Sequence, residues 1–158
     1  MAVKEITGSI PIVFVHVADP LAGGVVQSLA RPGGNITGFA AYESSIGGKW
    51  LELLKEIAPR VNHVLVLVGQ NPTWRMHVPT IQGVAPSLAV KLTITHVRDA
   101  AAIEPAVSAF AGGSNRDMIA LPDNMLDEQR ELVVRLAAKH GIPDVYASQE
   151  ASGGLLRW

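Results

Sequence analysis

Residues 61–68 read Val-Asn-His-Val-Leu-Val-Leu-Val, and the last five of these positions are apolar without interruption. A strand with one face in water alternates apolar and polar residues, whereas a strand of a parallel sheet that helices cover on both sides is apolar throughout. The run therefore predicts a fully buried strand at the centre of an α/β domain.

Strand-like and helix-like patterns alternate on the C-terminal side of this run. Further strands are predicted at 90–97, 117–121 and 142–147, and apolar residues at helical spacing predict helices at 74–88, 103–110 and 125–140. The alternation indicates an α/β fold with three layers, in which helices cover both faces of an open, Rossmann-like parallel sheet.

The first sixty residues predict one strand, two helices and a short extended connection. The strand covers 10–17, and the first helix has an apolar face that consists of Leu21, Val25, Val26 and Leu29. This helix is expected to end at Arg31-Pro32-Gly33-Gly34-Asn35, because proline cannot continue a helix and glycine accepts the left-handed conformation that follows one. An extended piece at 36–40 and a helix from Ser44-Ser45 to Pro59 complete this part.

Composition excludes several classes of protein. The 158 residues include 13 basic and 14 acidic side chains, a balance that argues against a nucleic-acid-binding protein. With 48% hydrophobic and 17% charged residues we expect a packed, soluble domain, and without cysteine a disulfide framework and thiolate metal sites are excluded. No apolar run approaches the roughly 18 residues of a spanning helix, and no signal peptide is evident at the start.

Motifs of common enzymes are missing from the sequence. It contains no G-x-G-x-x-G, no Walker A sequence, no G-x-S-x-G and no H-E-x-x-H, and the five histidines have no ligand-type spacing. We therefore predict no catalytic residues, no metal site and no cofactor.

Polar side chains follow the predicted strands, at the edge of an open α/β sheet where ligands bind. The candidates for ligand contacts are Asp19, Asn71, Thr73, Asp123 and Asn124. Helix capping and proline turns explain each of these residues equally well when it is taken alone.

Two aromatic residues, Trp74 and Tyr146, are candidates for the wall of the same ligand site. Large aromatic side chains more often serve simply as core, by roughly two to one.

The stretch Ser28-Leu29-Ala30-Arg31-Pro32-Gly33-Gly34-Asn35-Ile36-Thr37-Gly38 closely resembles a segment of the ABC-transporter substrate-binding protein family related to tryptophan and tyrosine uptake. The similarity continues through residues 48–59, Asn71-Pro72, 121–124 and 151–155, so it covers nearly the whole chain.

This resemblance implies a type I periplasmic-binding-protein fold, with two α/β lobes and a small solute such as an amino acid held between them without catalysis. It assigns residues 1–40 to part of the first lobe and a hinge crossing, 41–147 to the second lobe, and 148–158 to a return crossing. It also implies an ABC permease as partner, and a periplasmic or lipid-anchored extracytoplasmic location.

Family members extend further at both ends, so we expect this chain to be truncated and to leave apolar faces and strand edges exposed. A homodimer through those edges is the expected result. Alternative functions are the effector domain of a transcription regulator, a flavodoxin-like enzyme, and a remnant that binds nothing.

Overall fold

The chain consists of two compact units, residues 1–44 and residues 45–158. The structure, a computed structural model, describes residues 7–18, 20–21, 24–42, 45–146 and 156–157.

The first unit contains two strands, β1 (Ile12–Ala18) and β2 (Ile36–Tyr42), which pair in parallel. Val25, Val26 and Ile36 are buried, and the inner side chains of β1, Ile12, Phe14 and Val17, pack against them. The strand prediction for 10–17 is confirmed to within two residues, and the extended piece predicted at 36–40 is the strand β2.

The helix predicted after β1 is absent from the described part of this segment, and that prediction was wrong. The N–H of Val25 binds the carbonyl of Pro20 at 2.8 Å, and the N–H of Gly24 binds that of Leu21 at 3.0 Å. With Gly24 at a φ of 65°, this is the hydrogen-bond pattern of a Schellman motif, which ends a helix. Residues 24–35 are therefore turns and bends in which Val25 and Val26 are buried without helical periodicity.

The turn before β2 explains the Arg-Pro-Gly-Gly-Asn sequence. Gly33 and Gly34 both have positive φ, at 76° and 64°, a conformation that L side chains rarely adopt. The side-chain amide of Asn35 donates to the carbonyls of Thr7, at 3.1 Å, and of Ile10, at 2.7 Å. The motif thus fixes the start of β2 beside the start of β1.

The second unit is an α/β sheet with helices. Its described strands are β3 (His63–Val68), β4 (Lys91–His96), β5 (Arg116–Ala120), β6 (Asp144–Tyr146) and β7 (Leu156–Arg157). Its described helices are α1 (Ile46–Ile57), α2 (Trp74–Val84), α3 (Ile103–Phe110), α4 (Asn124–Glu128) and α5 (Arg130–His140), with a 3-10 helix at Ala100–Ala102.

The strand order is β4-β3-β5-β6-β7, with parallel pairing from β4 to β6 and antiparallel pairing of β6 with β7. Strand β3 therefore pairs with β4 on one side and with β5 on the other. The chain adds β4 on one side of β3 and then adds β5 and β6 on the opposite side, so the strand order reverses at β3. The predicted parallel α/β sheet is confirmed, with β3 buried and β4 at an edge.

Helices cover both faces of β3. Leu65 and Leu67 pack on the face that α3 and α5 cover, in one core with Val107 and Leu136. Side chains of a strand alternate between faces, so Val64, Val66 and Val68 point to the opposite side. That side belongs to α1, which packs on α2, β5 and β6.

The long helix predicted at 125–140 is two helices. Gln129 has φ −97° and ψ 16°, outside helical geometry, and separates α4 from α5. The apolar spacing continues across this residue, with Leu126 and Val133 both buried, and this is why the periodicity alone did not reveal the break.

No described helix of this chain is both long enough and apolar enough to cross a membrane.

The buried carboxyl of Asp117 makes stability depend on pH. Burial raises the pKa of Asp117 to about 7, and the neighbouring Asp144 adds to the rise, while a hydrogen bond from the Met118 N–H opposes it. Because the folded pKa lies above the unfolded value, the free energy of unfolding is highest below pH 4 for this group and falls as pH rises to 7. At pH 8, ionisation of Asp117 lowers the free energy of unfolding by at most roughly 4 kcal/mol. We expect Asp117→Asn, which cannot ionise, to recover this free energy.

Urea unfolding of wild type and Asp117→Asn at pH 5 and pH 8 measures this effect. The variant should gain more stability relative to wild type at pH 8 than at pH 5, because most of the loss builds up between pH 5 and pH 7. Equal differences at both pH values would contradict the prediction.

The first unit exposes apolar side chains that water does not favour. Phe39 is 72% exposed, Val15 is 67% exposed, and the two are partners in the β1–β2 pairing. We expect the chain to self-associate through this surface at micromolar concentration, and the double variant Val15→Thr, Phe39→Ser to associate less.

Size-exclusion chromatography with light scattering measures the mass in each case. Leu92→Thr, on the edge strand of the second unit, is the control and should behave as wild type. A wild-type chain with the mass of a monomer would contradict this prediction.

Candidate functional site

The carboxyl ends of β3 and β5 form the candidate site. These strands are neighbours in the sheet. The chain continues from β3 to β4 on one side of β3, while β5 and β6 lie on its other side. A reversal of strand order of this kind opens a crevice beyond the carboxyl ends, because the adjacent loops diverge to opposite faces. The sheet places residues 69–74 and 121–124 on the two sides of it.

Asp123 links the two loops. Its Oδ2 accepts a hydrogen bond from the Asn71 N–H at 2.7 Å, and its Oδ1 accepts from the N–H groups of Met125, at 3.0 Å, and Leu126, at 3.3 Å. Asp123 is therefore the N-cap of α4 and also a tie between the β3 and β5 loops. The side chain is 5% exposed.

Gly69 makes room for this carboxyl. A Cβ atom at position 69 would lie 2.1 Å from the Asp123 Cγ, far closer than atoms can approach. The residue that ends the apolar run of β3 is therefore small because the capping carboxyl of the next loop lies against it.

Asn71 and Thr73 form the start of α2. The Asn71 Oδ1 accepts from the Thr73 N–H at 3.1 Å, which closes an Asx turn. The Thr73 hydroxyl is buried and has no hydrogen-bond partner among the described residues. A buried hydroxyl without a partner costs free energy, so it is a natural contact for a polar ligand group.

Trp74, the first residue of α2, supplies an aromatic surface. Its ring meets His96 edge-to-face, with 4.9 Å between ring centroids, and the Arg75 guanidinium lies 5.5 Å from its centroid. Trp74 is half-buried, and the ring lies against the end of β4 rather than in the core.

The remaining predicted contacts have different positions. Asn124 is exposed at the start of α4, next to Asp123. Tyr146 ends β6, with its backbone opposite Ala120, and its side chain lies outside the described parts. Asp19 lies outside the described residues.

The structure thus brings Asn71, Thr73, Trp74, Asp123 and Asn124 together at one sheet edge. Sequence reasoning missed His96 and Gly69 as members of this site. A histidine that ends a predicted strand and a glycine directly after the buried run are the signals that could have found them.

The groups gathered here are hydroxyl, amide, carboxylate and aromatic groups, which suit the binding of a small polar molecule. Over the described ranges, no cluster of three or more His, Asp or Glu side chains is placed to hold a metal ion.

Comparison with known proteins gives a consistent result. The family described as ABC transporter substrate binding protein matches residues 1–154. A tyrosine-binding protein from Clostridioides difficile is 28% identical over 153 residues, which are 96% of this chain and 43% of the relative.

Solved structures also match. An ABC domain in complex with L-Trp from Streptococcus pneumonia matches with a TM-score of 0.72 at 19% identity, over 92% of this chain and 49% of that one. A ligand-free, open substrate-binding protein with adhesive properties from Clostridium difficile matches with a TM-score of 0.70 at 25% identity, over 90% of this chain and 48% of that one. The chain thus spans about half the length of the proteins it matches.

The tie through Asp123 predicts a measurable loss of stability. Asp123→Ala removes acceptors from three backbone N–H groups and should lower the free energy of unfolding by about 2–3 kcal/mol. Asn124→Ala, at the adjacent exposed position, is the control and should change it by less than about 0.5 kcal/mol. Urea unfolding monitored by circular dichroism gives both values, and an Asp123→Ala variant as stable as the control would refute the structural role.

Proposed function

The chain belongs to the ABC transporter substrate-binding protein family, and from this premise we propose that it contributes one wall of an amino-acid site. That wall is the carboxyl edge of the second unit's sheet, at residues 69–74 and 121–124. The family consists of substrate-binding proteins rather than enzymes, so the prediction that the chain does not catalyse a reaction is confirmed.

The observation that carries the proposal is the Thr73 hydroxyl. It is buried and lacks a partner among the described residues, and Trp74 follows it directly. A hydroxyl that must find a polar partner beside an aromatic surface matches a ligand with a polar end and a flat apolar side chain.

An aromatic amino acid is such a ligand. The relative from Clostridioides difficile is named for tyrosine, and the fold neighbour from Streptococcus pneumonia was solved with L-Trp. We infer that this chain takes part in binding tyrosine, tryptophan or a ligand of the same class.

Each predicted residue has a role in the proposal. Thr73 and Asn71 contact the ligand carboxylate near the start of α2, where backbone N–H groups and the helix dipole favour negative charge. The Asp123 Oδ2, which accepts one backbone N–H, accepts the ligand ammonium, while its Oδ1 caps α4. Trp74 packs on the ligand ring, and Asn124 lies at the rim of the site. Asp19 and Tyr146 are the two further proposed ligand contacts, and the structure describes neither side chain.

The wider setting follows from the family. We propose that residues 1–40 belong to the first lobe and a hinge crossing, 41–147 to the second lobe and 148–158 to a return crossing. The whole protein would act outside the cytoplasm and deliver its ligand to an ABC permease.

Thermal unfolding against a panel of amino acids tests the proposal. L-Tyr or L-Trp should raise the melting temperature in a dose-dependent way, because a ligand that binds only the folded state stabilises it, and glycine should not. Thr73→Val, which removes the hydroxyl at nearly constant volume, should weaken binding by about fivefold.

Thr95→Val, on β4, is the matched control and should retain the affinity of wild type. A Thr73→Val variant that binds as tightly as this control would contradict the role of the hydroxyl. Equal shifts from all amino acids, glycine included, would contradict the aromatic ligand class.

A further inference from the structure

His96, the last residue of β4, lies beside the aromatic wall of the candidate site. Its ring and the Trp74 ring have 4.9 Å between their centroids and an angle of 80° between their planes. Aromatic rings attract each other in this edge-to-face arrangement, because the positive edge of one ring faces the negative face of the other. The contact therefore joins the start of α2 to the end of β4.

The backbone that carries His96 is fixed to the central strand. His96 is the register partner of Val68, so the two side chains point to the same face of the sheet. The next residue, Val97, donates its N–H to the Val68 carbonyl at 2.8 Å, and the side-chain amide of Gln70 donates to the Arg98 carbonyl. The end of β4 is thus tied to β3 and to the loop that leads to α2.

The backbone at Trp74 does not by itself fix the ring. The Trp74 N–H reaches the Asn71 carbonyl at 3.4 Å, which is long for a hydrogen bond, and the side chain of Thr73 forms no cap of α2 in the described structure. The Arg75 guanidinium, 5.5 Å from the ring centroid, belongs to the same helical turn as Trp74. Of the ring contacts described for Trp74, the one with His96 is the one that reaches the sheet.

We propose that His96 is a positioning residue of the amino-acid site, which holds the Trp74 ring in the orientation that accepts a flat aromatic side chain. The inference rests on the proposed function, in which Trp74 packs on the ligand ring. A ring that is already held loses less conformational entropy when the ligand binds, so the affinity for an aromatic ligand is higher. His96 acts through Trp74 and makes no contact with the ligand in this role.

The role concerns the choice of ligand more than the contacts that all amino acids share. Thr73 and Asn71 are proposed to bind the ligand carboxylate, whereas Trp74 contacts only the ligand side chain. Loss of the His96 ring should therefore reduce the preference for an aromatic over an aliphatic amino acid.

Fluorine NMR of the chain labelled with 5-fluorotryptophan tests the position of the ring without ligand. The three tryptophans give three signals, and Trp74→Phe identifies the signal of Trp74. We expect His96→Ala to increase the shift of that signal between H2O and D2O, because the ring gains exposure to water, and to leave the other two signals unchanged. His96→Phe, which retains a ring for the edge-to-face contact, should restore the wild-type value.

Isothermal titration calorimetry with L-Tyr and L-Leu measures the effect on binding. His96→Ala should weaken the binding of L-Tyr about fivefold and that of L-Leu by less than about twofold. His96→Phe should bind L-Tyr like wild type. Lys91→Ala, which truncates the exposed residue at the other end of β4, is the matched control and should bind both amino acids like wild type.

The two experiments separate this inference from the proposed function. If the wild-type chain binds L-Tyr and His96→Ala binds it as tightly as Lys91→Ala does, the positioning role is overturned and the proposed function stands. An unchanged Trp74 signal in His96→Ala would overturn the inference, as would an equal loss of affinity for L-Tyr and L-Leu. If the wild-type chain binds neither L-Tyr nor L-Trp, the proposed function fails, and the fluorine signal still decides whether His96 holds the ring.

Discussion

The burial of β3 on both faces is the constraint on which the second unit depends. Val64 to Val68 are each 0% exposed, so the strand needs a neighbour on each edge and a helical layer on each face. β4 and β5 supply the edges, while α1 and α3 with α5 supply the layers. The reversal of strand order at β3 follows from this arrangement, since the chain continues to β4 on one side and returns to β5 on the other. The crevice of the candidate site results from this reversal, because the loops after β3 and β5 diverge to opposite faces of the sheet.

The two ends of the same sheet have different chemistry. At the carboxyl edge the Asp123 carboxylate is satisfied by backbone N–H groups, and the Thr73 hydroxyl is the buried atom without a described partner. At the amino edge a carboxyl, Asp117, lies buried next to Asp144, and burial raises its pKa to about 7. The Asp123 carboxyl, after β5, accepts three backbone N–H groups, whereas burial of the Asp117 carboxyl, within β5, raises its pKa to about 7.

The first unit illustrates how far glycine and asparagine can replace regular structure. Gly24, Gly33 and Gly34 all have positive φ, and the Asn35 amide holds the loops before the two strands together. The described part of this segment, which contains no helix, can thereby bury Val25 and Val26 against β1 and β2. The same unit exposes Val15 and Phe39, whose hydrophobic character the sequence shows but whose exposure depends on what covers the strand.

The sequence by itself determined the α/β class, the buried central strand, the positions of most helices and the polar residues after the strands, because periodicity and turn residues act locally. It also carried the resemblance to the family, through the Arg-Pro-Gly-Gly-Asn turn. Tertiary structure alone decided the strand order, which sets Asn71 beside Asp123 across 52 positions of sequence. It decided that residues 24–35 form turns and bends and that Gln129 interrupts the last helix, where apolar spacing continues regardless. The burial of the Asp117 carboxyl was equally invisible, because the neighbouring strands that surround β5 come from distant parts of the sequence.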